Sequence, residues 1–210
     1  MFSWLVHFIE RRPFIHRLAL GIWRYFPPRL AGFMKMLLTT KWTVGAVAVI
    51  IDESVNPVEI LLVEHSYRRK GVWGLPGGAL ESKLTSPLEA GPRGDGDVLK
   101  ATLRREIYEE MGIEIEIGSL IRMDAVPYVP EEPGPYRLDF YYLCLPKYGI
   151  GALRQELASI RVQGRSPEIK SIRFVPRNLL AQYDLYSGDK DLLVEHWAEI
   201  APHLHAVSDT

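Results

Sequence analysis

Arg105-Glu106-Ile107-Tyr108-Glu109-Glu110-Met111-Gly112-Ile113 is the stretch on which the reading of this chain turns. Asp97 is a good helix N-cap, and Leu99, Leu103 and Ile107 recur every fourth residue behind it. Val98–Met111 is therefore expected to be a helix, stopped by Gly112. Glu106, Glu109 and Glu110 stand at i, i+3 and i+4, so three carboxylates leave one face. Three like charges so close repel one another unless a cation sits among them. A hard divalent ion, Mg²⁺ or Mn²⁺, suits carboxylate oxygens. Arg105 can orient one carboxylate with its forked guanidinium. A solvated acidic face has the same pattern. Against that plainer reading stands the preceding context, a strand running into Leu75-Pro76-Gly77-Gly78. A glycine turn lets a backbone carbonyl approach a metal closely.

Working outward, Thr43–Ile51 is β-branched and short and reads as a buried strand. Asp52–Pro57 has turn chemistry, and Val58–Glu64 reads as the return strand of a hairpin. A basic loop, His65–Gly71, leads to a short strand ending in the glycine turn, Trp73–Gly78. Ser82–Gly96, with its Pro and Gly, is an exposed loop. Ile113–Val126, Tyr136–Leu145 and Ser171–Val175 read as strands, and Asp189–Ala201 as a closing amphipathic helix.

The 210 residues carry 25 basic and 26 acidic side chains, which argues against a bulk nucleic-acid binder. A single cysteine, Cys144, excludes an intrachain disulfide framework and a cysteine-based zinc cluster, and fits a reducing, cytoplasmic compartment. The charge is uneven. Residues 1–41 hold seven basic residues and one acidic residue, Glu10, together with many apolar and aromatic side chains. No apolar run there approaches the roughly 18–20 residues of a membrane span. Pro13 and Pro27-Pro28 interrupt its helices. Residues 1–40 are thus expected to be a basic, aromatic helical extension. Its apolar face packs on the main domain or on a second copy, or rests on a membrane surface; an Arg-rich transit peptide is the third alternative.

Taken together, these residues resemble the Nudix hydrolases, whose signature is Gly, five residues, Glu, seven residues, then Arg-Glu-aliphatic-x-Glu-Glu-x-Gly-aliphatic. Arg105 to Ile113 match its second half without exception. Gly78 fits the opening glycine, Leu75-Pro76-Gly77 the usual lead-in, and Glu81 the Glu often found three positions later. The departure lies between the halves. Asp97 stands where the family has Glu, one methylene longer, and 18 residues instead of five separate it from Gly78, so 13 are inserted, at about 82–95. Loop length carries only a modest closure entropy, so the acidic face need not be disturbed.

The resemblance implies an α/β fold, a Nudix-type α/β/α sandwich with a mixed sheet, over residues 41–210. It implies a Mg²⁺- or Mn²⁺-dependent pyrophosphohydrolase acting on a nucleoside diphosphate linked to another group, ADP-ribose or a nucleotide sugar being favoured. Glu106, Glu109 and Glu110 would hold the metal with the backbone carbonyl of Gly77 or Gly78. Glu106 would be a ligand or the base, and Arg105 would hold the carboxylates in place. Some members carry the base on a later loop, where Glu168 is the best candidate and Glu131 and Glu132 are weaker ones. Arg68 and Arg69, with Lys70 beside them, are candidates for gripping the substrate diphosphate. Tyr128 and Tyr136 have the chemistry to stack on a base, and ordinary packing explains them equally well. His65 reads as a polar core or strand-end histidine, and Trp73 as packed beneath the glycine turn. The family's substrate markers, a Pro or a Tyr some fifteen positions after the signature, do not discriminate, because Pro127, Tyr128 and Pro130 all fall there. The rival from another class is a ligand-binding or regulatory module without turnover. A third reading is a membrane-peripheral hydrolase of a lipid-linked diphosphate.

Overall fold

The computed structural model describes residues 42–66, 68–80, 97–126, 136–159 and 167–204. In chain order its strands are β1 (Trp42–Val49), β2 (Ile51–Asp52), β3 (Glu59–His65), β4 (Val72–Gly74), β5 (Gly77–Ala79), β6 (Ile115–Val126), β7 (Tyr136–Pro146), β8 (Ile169–Pro176) and β9 (Asp184–Leu185). The helices are α1 (Val98–Met111), α2 (Gly149–Ser159), α3 (Ser187–Lys190) and α4 (Trp197–Leu204). A 3-10 turn (Arg177–Gln182) and a π-helical turn (Asp191–Glu195) complete the C-terminal part.

The layers follow from alternation along the central strands. On β1, Val47 and Val49 enter one apolar core while Ala46 and Ala48 enter another. On β3, Ile60 and Leu62 part from Leu61 and Val63 in the same way. On β7, Tyr141 and Leu143 part from Tyr142 and Cys144. Strands apolar on both faces need cover on both sides. The first core is closed by Leu180, Leu192, Leu193, Ile200 and Leu204 of the C-terminal segments. The second is closed by Leu103, Ile107 and Met111 of α1 and Leu153 of α2. The architecture is a mixed α/β sandwich with helices on both faces.

Two sheets share the middle layer. One runs β5-β1-β7-β6, with β5 antiparallel to β1 through Gly45↔Ala79, Ala46↔Gly78 and Val47↔Gly77. In the other, β8 runs antiparallel to the whole of β3. β2 and β4 pair with opposite ends of β3, and β9 lies parallel to β4.

The expected strand over Thr43–Ile51 therefore breaks at Ile50: β1 belongs to the first sheet and β2 to the second. The hairpin with the following strand shrinks to Ile51↔Ile60 and Asp52↔Glu59. The expected strand Trp73–Gly78 breaks at Leu75-Pro76, again with one half in each sheet. Proline has no N–H to give a ladder, and here its carbonyl accepts from Ala48 N–H at 2.8 Å. The expected closing helix Asp189–Ala201 is instead α3, the π-helical turn and α4, interrupted at His196. The sequence reading assigns no element to α2. Expectations for residues 1–40, the 82–95 insertion, Glu81, Pro127, Tyr128, Pro130, Glu131 and Glu132 fall outside the described residues. Among the described residues no helix is long and apolar enough to cross a membrane.

Candidate active site

The acidic face is built by a helix capped at both ends. The Asp97 carboxylate accepts from Leu99 N–H at 3.1 Å and Lys100 N–H at 3.2 Å. Gly112 closes the other end in the left-handed conformation, φ 72°, with its N–H on Tyr108 O at 2.8 Å. Leu103, Ile107 and Met111 bury one side of the helix in the second core, Glu110 is buried at the edge of that side, and Glu106 lies against Gly78 of β5.

Those three carboxylates do not share one environment. Glu109 is exposed and takes Arg105 Nη1 at 2.7 Å. Glu106 is largely buried and pairs with Arg105 Nη2. Glu110 is 4% exposed, and among the described residues its Oε2 has no hydrogen-bond partner. Burial pushes its carboxyl up to about 8, and the charges of Glu106 and Glu168 push the same way. Arg68 opposes them.

The glycine turn fits against this face. A β-carbon at Gly78 would overlap the Glu106 carboxyl group, coming within 2.6 Å of Oε2. One at Gly77 would overlap the Ala46 carbonyl and sit 2.8 Å from Val47 Cα. Only glycine lets β5, β1 and Glu106 come this close.

Two loops bring in the remaining candidates. Glu168 precedes β8, and its carbonyl accepts from Ser66 N–H at 2.7 Å. Ser66 Oγ donates to Pro167 O at 2.6 Å, and Lys170 Nζ reaches Glu64 at 2.6 Å. The Arg68 loop and the Glu168 segment are thus stitched together beside Glu110. Arg69 points elsewhere, 76% exposed and paired with Asp184 of β9 at 2.6 Å. His65 is buried at the end of β3, and burial with the charges of Arg68 and Arg137 pushes it down to about 4. Trp73 is buried in the core, edge-on to Tyr183 at 6.0 Å. Tyr136 begins β7.

A divalent cation fits the chemistry of this face. Glu110 presents a buried, unpartnered carboxylate oxygen among three further carboxylates, and a positive ion would allow them to be ionised together. Among the described residues no three His, Cys, Asp or Glu side chains stand in a metal cage as placed. Arg105 pairs with both Glu106 and Glu109.

Sequence reasoning missed a second polar group adjoining the turn. Asp189, buried, accepts from Leu75 N–H at 2.9 Å. The Arg68 guanidinium lies 4.1 Å from the centre of the Tyr186 ring, and that of Arg137 5.2 Å. Arg137 pairs with the buried Asp139 at 2.9 Å. The only sequence signal was polar residues inside otherwise apolar strand and helix patterns.

Comparison with known proteins places the fold. A family model described as the NUDIX domain matches residues 41–195. No curated protein sequence matches the chain. Among solved structures it is similar to a UDP-X diphosphatase, at 18% identity over 83% of this chain and 71% of that one, with a TM-score of 0.52. It is similar to the NUDIX domain of Shewanella oneidensis NrtR complexed with ADP-ribose, at 15% identity over 84% and 95%, TM-score 0.51. A NUDIX hydrolase from Nitrosomonas europaea is 16% identical over 78% and 90%, TM-score 0.52. At these identities the likeness is one of fold. The family match covers most of the chain and includes the glycine turn and the acidic helix, so this chain belongs to the NUDIX domain family, that of the Nudix-type diphosphate hydrolases.

Proposed function

We propose that this protein is a divalent-cation-dependent pyrophosphohydrolase that cleaves a nucleoside diphosphate linked to another moiety, with ADP-ribose or a nucleotide sugar as the favoured class. The observation that carries the reading is Glu110, buried and pushed up to about 8 beside Glu106 and Glu168, against a turn that only glycine fits. Perturbed carboxylates of this kind are what acid–base and metal chemistry need. Glu106, Glu109 and Glu110, with a backbone carbonyl of Gly77 or Gly78, would hold Mg²⁺ or Mn²⁺. Bound there, the ion supplies charge neutralisation for the diphosphate and acidifies water. The chain's own groups do the rest. Arg105 holds Glu106 and Glu109 in place until substrate arrives. Glu168 or Glu106 takes the proton from the attacking water. Arg68 holds a phosphate oxygen while the opposite phosphate leaves. Positioning and charge stabilisation carry most of such a reaction.

One observation favours a second reading, a nucleotide-binding module without turnover: Asp97, which stands where the family signature has Glu, is turned back onto Leu99 N–H and Lys100 N–H. Phosphate release decides between them. ADP-ribose, nucleotide sugars, dinucleoside polyphosphates and nucleoside triphosphates are tested with Mg²⁺ and with chelator, using a coupled phosphatase. The hydrolase reading expects cation-dependent turnover that falls by a factor of 100 or more in Glu110→Gln. Binding without turnover on every compound supports the module.

A further inference from the structure

We infer that Asp189 is a positioning residue for the reaction: from the C-terminal segment its carboxylate fixes the Leu75 amide, and through it the glycine turn whose carbonyl is assigned to the cation above. The inference rests on the hydrolase reading and deepens it.

The backbone from Trp73 to Leu80 crosses from one sheet to the other, and hydrogen bonds fix it at both ends. Tyr186 N–H donates to Trp73 O at 2.8 Å, Ala48 N–H to Pro76 O at 2.8 Å and Leu80 N–H to Val44 O at 2.7 Å. Between these, Leu75 N–H donates to Asp189 Oδ2 at 2.9 Å. Here a side chain supplies the acceptor, because Leu75 lies between β4, which ends at Gly74, and β5, which begins at Gly77. Pro76 has no N–H, so the Leu75 amide is the last donor before the glycine pair. Leu75 is 4% exposed. A buried amide without an acceptor is costly, so the turn must shift to satisfy it once the carboxylate is gone.

The carboxylate is itself held in place. β9 runs parallel to β4 through Val72↔Asp184 and Trp73↔Leu185, and α3 follows it closely. Lys190 N–H closes onto Tyr186 O at 2.8 Å. Asp189 thus returns to the same stretch of chain two residues beyond the last strand pair. A β-carbon at Gly74 would come within 2.7 Å of Asp189 Oδ2, so the chain has glycine where the carboxylate lies on it. Among the described residues Leu75 N–H is the one hydrogen-bond donor to this carboxylate. Downstream, Val47↔Gly77 and Ala46↔Gly78 seat the turn on β1, and a Gly78 β-carbon would overlap the Glu106 carboxyl group. Leu75 is two residues from Gly77 and three from Gly78, so a shift at Leu75 reaches both carbonyls and the contact with Glu106. Partners one step behind a metal ligand change metal affinity or activity by about 10–100-fold.

The test uses the full chain, with Asp189→Ala, Asp189→Asn and Gly74→Ala beside the native protein and thermal unfolding run on each. Two readings are taken: Mn²⁺ affinity without substrate, by titration followed with electron paramagnetic resonance, and kcat and KM on the best substrate of the panel over a range of Mg²⁺. Asp189→Ala should raise the Mn²⁺ Kd about tenfold and lower turnover at limiting Mg²⁺, with KM at saturating Mg²⁺ within about threefold. Asp189→Asn keeps an oxygen for the Leu75 amide and should stay within about threefold of the native protein in both readings. If Asp189→Ala does not fold, Gly74→Ala carries the test: its methyl displaces the same carboxylate, and the same rise in Kd is expected. Unchanged Mn²⁺ affinity in the folded variant overturns the inference, as does a rise in KM alone. An equal loss in Asp189→Asn also overturns it, because the charge and not the hydrogen bond would then be what matters. Native protein that binds Mn²⁺ without turnover overturns the hydrolase reading alone, and the Mn²⁺ titration still decides the role of Asp189.

Discussion

Asp189 shows how one side chain can carry a pH dependence. It is buried, and burial pushes its carboxyl up to about 6, against the pull of the Leu75 N–H and the Arg68 charge. The folded chain therefore binds this proton more tightly than the unfolded chain. The group's favourable contribution is full below about 3.8 and is lost as pH rises through about 6. Asp189→Asn keeps an oxygen for Leu75 N–H and never ionises. It should unfold at higher temperature than the native protein at pH 8, by a free energy on the order of 1–3 kcal/mol, and match it near pH 4. Lower stability of the variant at pH 8 would mean that attraction to Arg68 and Arg137 outweighs burial. His65 has the opposite sign, since its pushed-down value makes stability fall between about pH 6.5 and about 4. At this scale the sequence made the local chemistry legible and hid the distant. Glu106, Glu109 and Glu110 are neighbours on one helix, so spacing alone places them together. Asp189 meets Leu75 across 114 residues and Arg137 meets Tyr186 across 49, and no local period reports such pairs.

The acidic helix owes its boundaries to two residues, and that limits what Asp97 does. Where the family signature has Glu, this chain places a carboxylate on the first free amides of α1. Aspartate is the right length for that, since the short side chain folds back onto the second and third helical N–H groups. Asp97→Ala should cost about 1 kcal/mol of stability in denaturant unfolding, while kcat/KM changes less than about threefold. A tenfold loss of kcat/KM in folded protein would place Asp97 in the site instead. The other elements separate into those that local pattern determines and those that it does not. β6, β7 and β8 stand within two residues of their expected ends, because β-branched and aromatic runs bounded by turns are a local signal. The breaks at Ile50 and at Leu75-Pro76 depend on which sheet each half joins, which is a tertiary matter. α2 begins Gly-Ile-Gly, and glycine lowers helix propensity by about 1 kcal/mol each. Its signal was Ile150, Leu153 and Leu157, which pack into or against the second core.

Over the whole molecule, the question is where the folded domain begins. The family match starts at residue 41, and the chain divides between Trp42 and Thr43. Both described cores are assembled from residues between Ala46 and Leu204. We propose on these grounds that 41–210 is the hydrolase domain and 1–40 a separate extension. A chain beginning at Lys41 should then unfold in one cooperative transition, within a few degrees of the full chain, and keep kcat/KM within about twofold on the same substrate. Removing residues 1–40 takes away six basic residues and one acidic residue, so most of that segment's positive charge leaves with it. Attraction to anionic lipid scales with such charge and weakens with salt. Sedimentation with vesicles of phosphatidylcholine and phosphatidylserine gives the second reading of the same pair of chains. Pelleting of the full chain alone, reduced at high salt, would give the extension a membrane-surface role. Equal behaviour of both chains would leave it as a packing element. A shortened chain that fails to fold would move the boundary, because the apolar residues before Lys41 would then belong to the domain's own core.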